Sequence, residues 1–217
     1  MVVKKFLFVL KEILQGKSIL RSYLDFSLLN IELRGRTIDV GGGSGEGYVS
    51  FVKRAEGTVF ETFDIKNGNF VDFEKDQLPA ADNTYDTVLF LNVMEHIFNH
   101  QHIANEVVRI TKPGGQLVGY VPFLIWYHPD HKDFFRYTHE ALQIILERTG
   151  ATQIEIIPDY AGPFIAATQM ALLSIPRLLR PFLFIPAYIL DEAFFFLKKT
   201  KESRFILGYL FLVHKSS

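Results

Sequence analysis

Asp39, Gly41, Gly42, Gly43, Ser44 and Gly45 sit within eleven residues, 37–47, that carry the densest chemical signal in this chain. A short apolar run, Thr37-Ile38-Asp39-Val40, leads into a turn made almost wholly of glycine, and a helix is expected to begin near Tyr48. Glycine reaches positive φ without strain and lets the backbone approach a ligand closely. The first turn of a helix offers N–H groups with no partner inside the helix, which suits a polar or anionic group. A strand, a glycine turn and a helix in that order point to a nucleotide-like cofactor. Spacing then narrows the choice. A dinucleotide fingerprint needs G-x-G-x-x-G. Counted from Gly41 the third glycine is Glu46, and counted from Gly43 it is Tyr48. A phosphate loop needs Lys and Ser/Thr after its final glycine, whereas Gly47 is followed by Tyr48 and Val49.

A second apolar run, 58–63, ends at Asp64. A carboxylate at a strand tip about 20 residues beyond a glycine turn is placed to accept hydrogen bonds from ribose hydroxyls. Further landmarks follow in order: Val71-Asp72-Phe73, Leu78-Pro79, an apolar run 84–92 ending in Asn92, Glu95-His96, and Lys112-Pro113-Gly114-Gly115. The pattern Asp39-x-Gly41-x-Gly43-x-Gly45 followed by these landmarks resembles the class I S-adenosylmethionine-dependent methyltransferases over residues 36–150. The chain departs from the family pattern at Ala80, where an aromatic is usual, and at Thr111, where Leu is usual. The resemblance implies S-adenosyl-L-methionine as cofactor. It assigns Asp39, Gly41, Gly42, Gly43, Ser44 and Gly45 to its methionine part, and Asp64 with Ile65 to the ribose and the adenine edge. Asp72 would accept from the adenine amino group with Phe73 against the ring, and Asn92 and Val93 would line the floor. The chemistry agrees, because carboxylates accept from hydroxyls and amines and apolar side chains cover a purine face. The competing enzyme class is a nicotinamide-dependent oxidoreductase, disfavoured by the missing third glycine. A non-catalytic, membrane-associated protein that keeps the cofactor fold is the other alternative.

The loop 122–139 is the richest in reactive side chains, with the only Trp and three of the seven His residues. Methyl transfer is an in-line displacement in which the protein supplies alignment and desolvation. A hydroxyl or amine acceptor must also lose a proton, and imidazole suits that task near neutral pH. His128 and His131 are the candidate bases, with Asp133 to orient the ring and Arg136 either to hold an acidic acceptor group or to pair with Asp133. His96, beside Glu95, is a third candidate. Glu95, His96 and His128 have metal-ligand chemistry, but nothing in the sequence sets their spacing, and no metal is assigned. His100, His102 and His214 read as surface residues.

These residues must be positioned by alternating strands and helices. Strands are expected at 37–40, 58–64, 69–73, 84–92, 116–122, 153–158 and 205–214. Most are nearly continuous apolar runs, as in strands buried on both faces. Helices are expected at 101–111, capped by Asn99, and at 140–148, capped by Thr138 and ended by Gly150. Two leading helices, 4–14 and 18–29, precede them. The expected fold is therefore α/β: a doubly wound, mostly parallel seven-stranded sheet with the last strand antiparallel. Gly41, Asp64, Asp72, Asn92 and Pro122 all fall at strand ends of the kind that hold ligands in open α/β sheets.

A chain of 217 residues, 48% of them hydrophobic, is sized for one domain. It divides into leading helices 1–35, a cofactor-binding core 36–158, an apolar helical insertion 159–203 and a final strand 204–217. The net charge of −1 and the lack of a basic block argue against nucleic acid as partner. With no Cys, disulfides and thiolate metal sites are excluded, and a reducing compartment is permitted. The N-terminal apolar run is too short and too charged for a secretion signal. The expected location is cytoplasmic, at the inner face of a membrane if the protein is peripheral. The insertion is the least ordinary feature, because the last two strands of such sheets are normally joined by a short loop. Arg177, Arg180 and Pro176, Pro181 and Pro186 interrupt its apolar runs, which argues against a spanning helix. Short helices remain, as a lid, a dimer face or a membrane contact through 160–200. Such a surface points to a small or lipid-like acceptor.

Overall fold

The computed structural model describes residues 2–43, 47–63, 71–129, 132–199 and 204–216. Helices α1 (Val2–Leu14) and α2 (Ile19–Leu28) lead the chain. They are followed by a short strand β1 (Glu32–Leu33) and by β2 (Arg36–Val40). Strands β3 (Lys53–Arg54), β4 (Val59–Phe63) and β5 (Tyr85–Leu91) come next, then α3 (His100–Ile110) and β6 (Thr111–Pro122). The chain ends with α4 (His139–Glu147), β7 (Gln153–Ala161), α5 (Pro163–Ala171), α6 (Arg180–Lys198) and β8 (Phe205–His214).

Six strands form the main sheet in the order β4-β2-β5-β6-β8-β7. The first four run parallel, and β8 lies antiparallel between β6 and β7. The strand expected at 69–73 falls partly outside the described residues, and its described part, Val71 to Phe73, is loop and turn. The main sheet thus has six strands among the described residues, with the doubly wound class and the antiparallel last strand as expected. Thr87 lies beside Thr37 on one flank and Gln116 on the other, just past a register shift in the β5–β6 pairing, and Leu117 of β6 pairs with Val213 of β8.

Two hydrophobic layers clamp this sheet. On one face α3 and α4 contribute Ile103, Val107, Ile110, Leu142 and Leu146 against Val88, Phe90, Leu117 and Phe211. On the other, α1, α2, α5 and α6 contribute Val9, Ile13, Leu24, Leu28, Ile165 and Phe184 against Leu89, Leu91, Val118 and Tyr120. The leading helices therefore pack onto the sheet. Their inner corner holds two buried acids, Glu12 and Asp25, both bridged by Lys17, with Arg21 on Asp25 as well.

Two local expectations are corrected. The helix predicted to begin near Tyr48 is a single 3-10 turn, Val49–Phe51. β-Branched and aromatic residues here disfavour helix. Lys53 and Arg54 instead pair with Glu32 and Leu33 as a small parallel sheet, which uses the backbone groups a helix would need. Asn99 precedes α3 but does not cap it. Its side-chain amide donates to the Glu74 carbonyl, and its backbone N–H donates to the Glu74 carboxylate. Thr138 does cap α4, accepting from the Ala141 N–H.

The insertion is built around one carboxylate. Asp191 of α6 is 4% exposed and accepts from the N–H groups of Phe164 and Ile165, each at 2.9 Å. It thus caps the start of α5 from another helix. Gly162 at that start is required, because a Cβ there would collide with the Asp191 carboxyl group. Removing a cap that leaves buried donors unpaired costs about 1–3 kcal/mol. Asp191→Ala is expected to lower unfolding stability by about 2 kcal/mol in urea titration. An unchanged midpoint would show that α5 does not depend on this cap.

Candidate active site

The carboxyl ends of β2 and β5 come together, and glycine geometry shapes the backbone there. Gly41 (φ +82°) and Gly43 (φ +62°) are left-handed, and the Gly41 N–H donates to the Phe63 carbonyl of β4 at 2.7 Å. Gly42 lies so close to the fully buried Asp39 that a Cβ would fall within its carboxyl group, and Gly41 presses against the side chain of Val93. Asp39 accepts a short hydrogen bond from the Tyr48 hydroxyl. Sequence reasoning missed this contact, because it read Tyr48 only as the start of a helix. Asn92, next in the chain after β5, is also left-handed at φ +55°, pinned by its N–H on the Tyr120 carbonyl at 2.9 Å. Its side-chain oxygen is buried with no hydrogen-bond partner among the described residues. A cradle that a Cβ would fill, a buried carboxylate and an unused amide oxygen fit a ligand carrying amino and hydroxyl donors. They are therefore compatible with the methionine part of S-adenosylmethionine.

Ser44, Gly45, Asp64 and Ile65 lie outside the described residues. Asp72 is exposed, and its carboxylate accepts from the Glu74 N–H at 3.0 Å and lies 3.3 Å from Lys75. That backbone hydrogen bond holds its carboxyl below the usual range. Phe73 is buried, and its ring stands 6.1 Å from that of Phe63.

Beyond Asn92 the chain makes a 3-10 turn, Met94–His96, against the loop that follows β6. The turn is locked from both sides. The Tyr137 hydroxyl donates to the Met94 carbonyl at 3.1 Å, and the Phe134 N–H donates to the Glu95 carbonyl at 2.9 Å. The expected pairing of Arg136 with Asp133 is present and bidentate, at 2.5 and 2.7 Å. The guanidinium holds the Asp133 carboxyl down to about 2, and Asp133 in turn accepts from the His128 N–H at 3.1 Å. The rings of His96 and His128 stand 5.1 Å apart, edge to face. His131, the remaining candidate base, lies outside the described residues.

Glu95 is the residue whose environment the sequence does not announce. It is fully buried, neither carboxylate oxygen has a hydrogen-bond partner among the described residues, and burial pushes its pKa up to about 8. Its apolar predecessors Val93 and Met94 were the only available hint. Glu95, His96 and His128 present one ligand-type atom each, all within 4.8 Å of one another. The spacing that could not be read from sequence is thus present in the structure.

Comparison with known proteins agrees with this architecture. A family profile described as a methyltransferase domain matches residues 12–155. A curated relative from Mycobacterium sp. (strain JLS), an uncharacterized methyltransferase, is 34% identical over 106 residues, covering 44% of this chain and 41% of the relative. The chain thus spans well under half the length of that relative. Among solved structures, phosphoethanolamine N-methyltransferase 2 of Haemonchus contortus, in complex with S-adenosyl-L-methionine, aligns with a TM-score of 0.54 at 15% identity, over 89% of this chain and 52% of that one. A SAM-dependent methyltransferase from Archaeoglobus fulgidus aligns with a TM-score of 0.51 at 15% identity, over 90% and 91% of the two chains. At these identities the structural likeness is one of fold. The profile match covers most of the chain and sets aside the nicotinamide-dependent alternative. With its glycine cradle at the carboxyl end of β2, the chain belongs to the methyltransferase domain family, of the class I S-adenosylmethionine-dependent type.

Proposed function

We propose that this chain moves the methyl group of S-adenosylmethionine to a small amphiphilic, lipid-like acceptor met at a membrane surface. The bound cofactor supplies an electrophilic methyl group on a sulfonium centre. Asp39 and the Gly41–Gly43 backbone hold its amino-acid end, together with Ser44 and Gly45. Asn92 and Val93 form the floor, and Asp64, Ile65, Asp72 and Phe73 serve the nucleoside side as the family resemblance implies. The acceptor's reacting atom enters between the floor and the His128 loop, where Glu95, His96 and His128 are the groups able to take charge of its proton. The Asp133–Arg136 pair keeps that loop in place. Burial of the site desolvates the acceptor, which favours displacement at carbon.

The acceptor class rests on α6 and its neighbours. Phe182, Ile189, Phe196 and Leu197 are 60–82% exposed and recur on one helical face, and Leu178 just before them is 80% exposed. Val3 and Leu7 of α1, which packs against α6 through Phe6, are 69% and 57% exposed. Arg177, Lys198 and Lys199 lie at the ends of this stripe. An apolar face edged by cations suits the interface of an anionic bilayer. No helix among the described residues is long and apolar enough to cross a membrane. On this reading the helices lie along the membrane surface.

Donor and acceptor sides can be tested separately. Gly42→Ala, whose Cβ would displace the Asp39 carboxylate, is expected to weaken S-adenosylhomocysteine binding at least tenfold by calorimetry, with the circular dichroism spectrum unchanged. Wild-type affinity would remove the glycine cradle from the site. Phe182→Glu combined with Phe196→Glu is expected to abolish flotation with anionic liposomes while leaving cofactor binding intact. Equal flotation of variant and wild type would move the lipid contact elsewhere. Transfer of labelled methyl to a panel of amphiphilic acceptors then tests the reaction itself. Flotation with neither cofactor binding nor transfer would favour a non-catalytic membrane protein.

A further inference from the structure

We infer that Glu95, His96 and His128 form a site for one divalent transition-metal ion, of which Zn²⁺ is the natural probe. Two imidazoles and one carboxylate are a ligand set that leaves coordination positions open for a water or a substrate oxygen. Their ligand atoms all lie within 4.8 Å of one another, and Glu95 Oε1 stands 3.7 Å from His96 Nε2. Two ligands held about 2.0–2.1 Å from a tetrahedral ion stand about 3.3 Å apart. The Glu95–His96 pair is thus nearly at that separation, and the His128 ring stands beside them, its centroid 5.1 Å from that of His96.

Two independent observations point to a cation rather than to chance proximity. The first is Glu95 itself. A carboxylate with no solvent exposure is ordinarily hydrogen-bonded, paired or metal-bound. Both Glu95 oxygens lack a hydrogen-bond partner among the described residues, and 3.7 Å to His96 is too long for one. The nearby Arg136 is already held bidentately by Asp133. The second is the way the two rings are held from behind. His96 Nδ1 lies 2.5 Å from the Lys132 carbonyl, which makes Nδ1 the protonated nitrogen and leaves the Nε2 lone pair directed toward Glu95. His128 Nδ1 lies 3.3 Å from the Trp126 carbonyl and 3.5 Å from the Asp133 carboxylate, both acceptors, so its Nε2 also keeps a free lone pair. Metal-bound histidines are characteristically oriented by such carbonyl and carboxylate partners.

The turn that carries Glu95 and His96 starts two residues after Asn92, at the mouth of the proposed methyl-transfer cleft. On the methyltransferase reading, on which this step rests, the open positions would take an acceptor hydroxyl and lower its pKa. That would explain a cluster with two histidines but no single base set apart from the rest.

The decisive experiment uses the metal-stripped 217-residue chain and the metal alone. Calorimetric titration with Zn²⁺ should give one ion per chain at micromolar affinity or tighter, and Co²⁺ should give visible d–d bands of a tetrahedral or five-coordinate site. Glu95→Gln, His96→Ala and His128→Ala should each weaken binding at least tenfold, while His100→Ala and His102→Ala should not. No stoichiometric binding, or binding indifferent to the first three substitutions, would overturn the inference. If Glu95→Gln does not fold, the loop variant His128→Asn decides in the same way. S-adenosylhomocysteine affinity, measured on the same preparations without metal, reports on the methyltransferase reading separately.

Discussion

The seating of β8 between β6 and β7 is the constraint on which the rest of this structure depends. The final strand of the chain is an interior strand of the sheet. Until residues 205–214 are in place, β6 has no neighbour on one flank and β7 has no partner at all. The fit is close at two glycines. Gly119 leaves room for the ring of Phe211, and Gly208 leaves room for the Tyr120 hydroxyl, so the two strands lock by exchanging a large side chain for a missing one. This late strand has a long-range partner by construction, which raises the entropic cost of closing the sheet and slows folding relative to local pairing. It also dictates where the insertion goes. A segment that leaves β7 and returns to β8 on the same sheet must lie over one face, and α5 and α6 take the face already occupied by α1 and α2.

The site follows from the same arrangement. β2 and β5 are adjacent parallel strands, so Gly41 and Asn92, which follow them, come together at one end although they are far apart in sequence. The loop after β6 then has to cross that end to reach α4. It is held there by Tyr137 on Met94 and by Phe134 on Glu95. Those bonds fix the 3-10 turn and keep Glu95 from water. The chemistry and the scaffold are thus one set of contacts: what closes the loop over the core also strips the carboxylate of its hydration.

Much of this was legible in the residues, for reasons that differ by element. The buried strands read clearly because two-sided burial demands unbroken apolar runs. Thr138 read correctly as a cap because the signal is local. The glycine turn read correctly because left-handed backbone and contact with a carboxylate both exclude side chains, and Gly41 and Gly42 meet those two conditions. The family pattern itself was legible for the same reason, as a series of local signals in a set order. The helix after Gly47 did not form, since a competing pairing with β1, a distant segment, took the backbone. Asn99 failed as a cap because Glu74, remote in sequence, offered its amide a better acceptor. Glu95, His96 and His128 could be named together as metal-ligand types, but their separation could not be read, because it depends on how two loops cross, which no spacing within either loop encodes. What sequence misses here is consistently the contact between segments far apart in the chain.

Arg180 gives the molecule a property that its fold class alone would not. Its guanidinium reaches across to the Gly16 carbonyl at 2.8 Å and also binds the Ile175 carbonyl at 3.0 Å. The start of α6 is therefore tied to the corner between α1 and α2. Arg21 of α2 stacks on Tyr48, and Tyr48 holds Asp39. A continuous chain of polar and ring contacts thus joins the greasy outer helix to the carboxylate beneath the glycine turn. Any displacement of α6 from the leading helices must therefore break the Arg180 hydrogen bond to Gly16 or carry this corner with it.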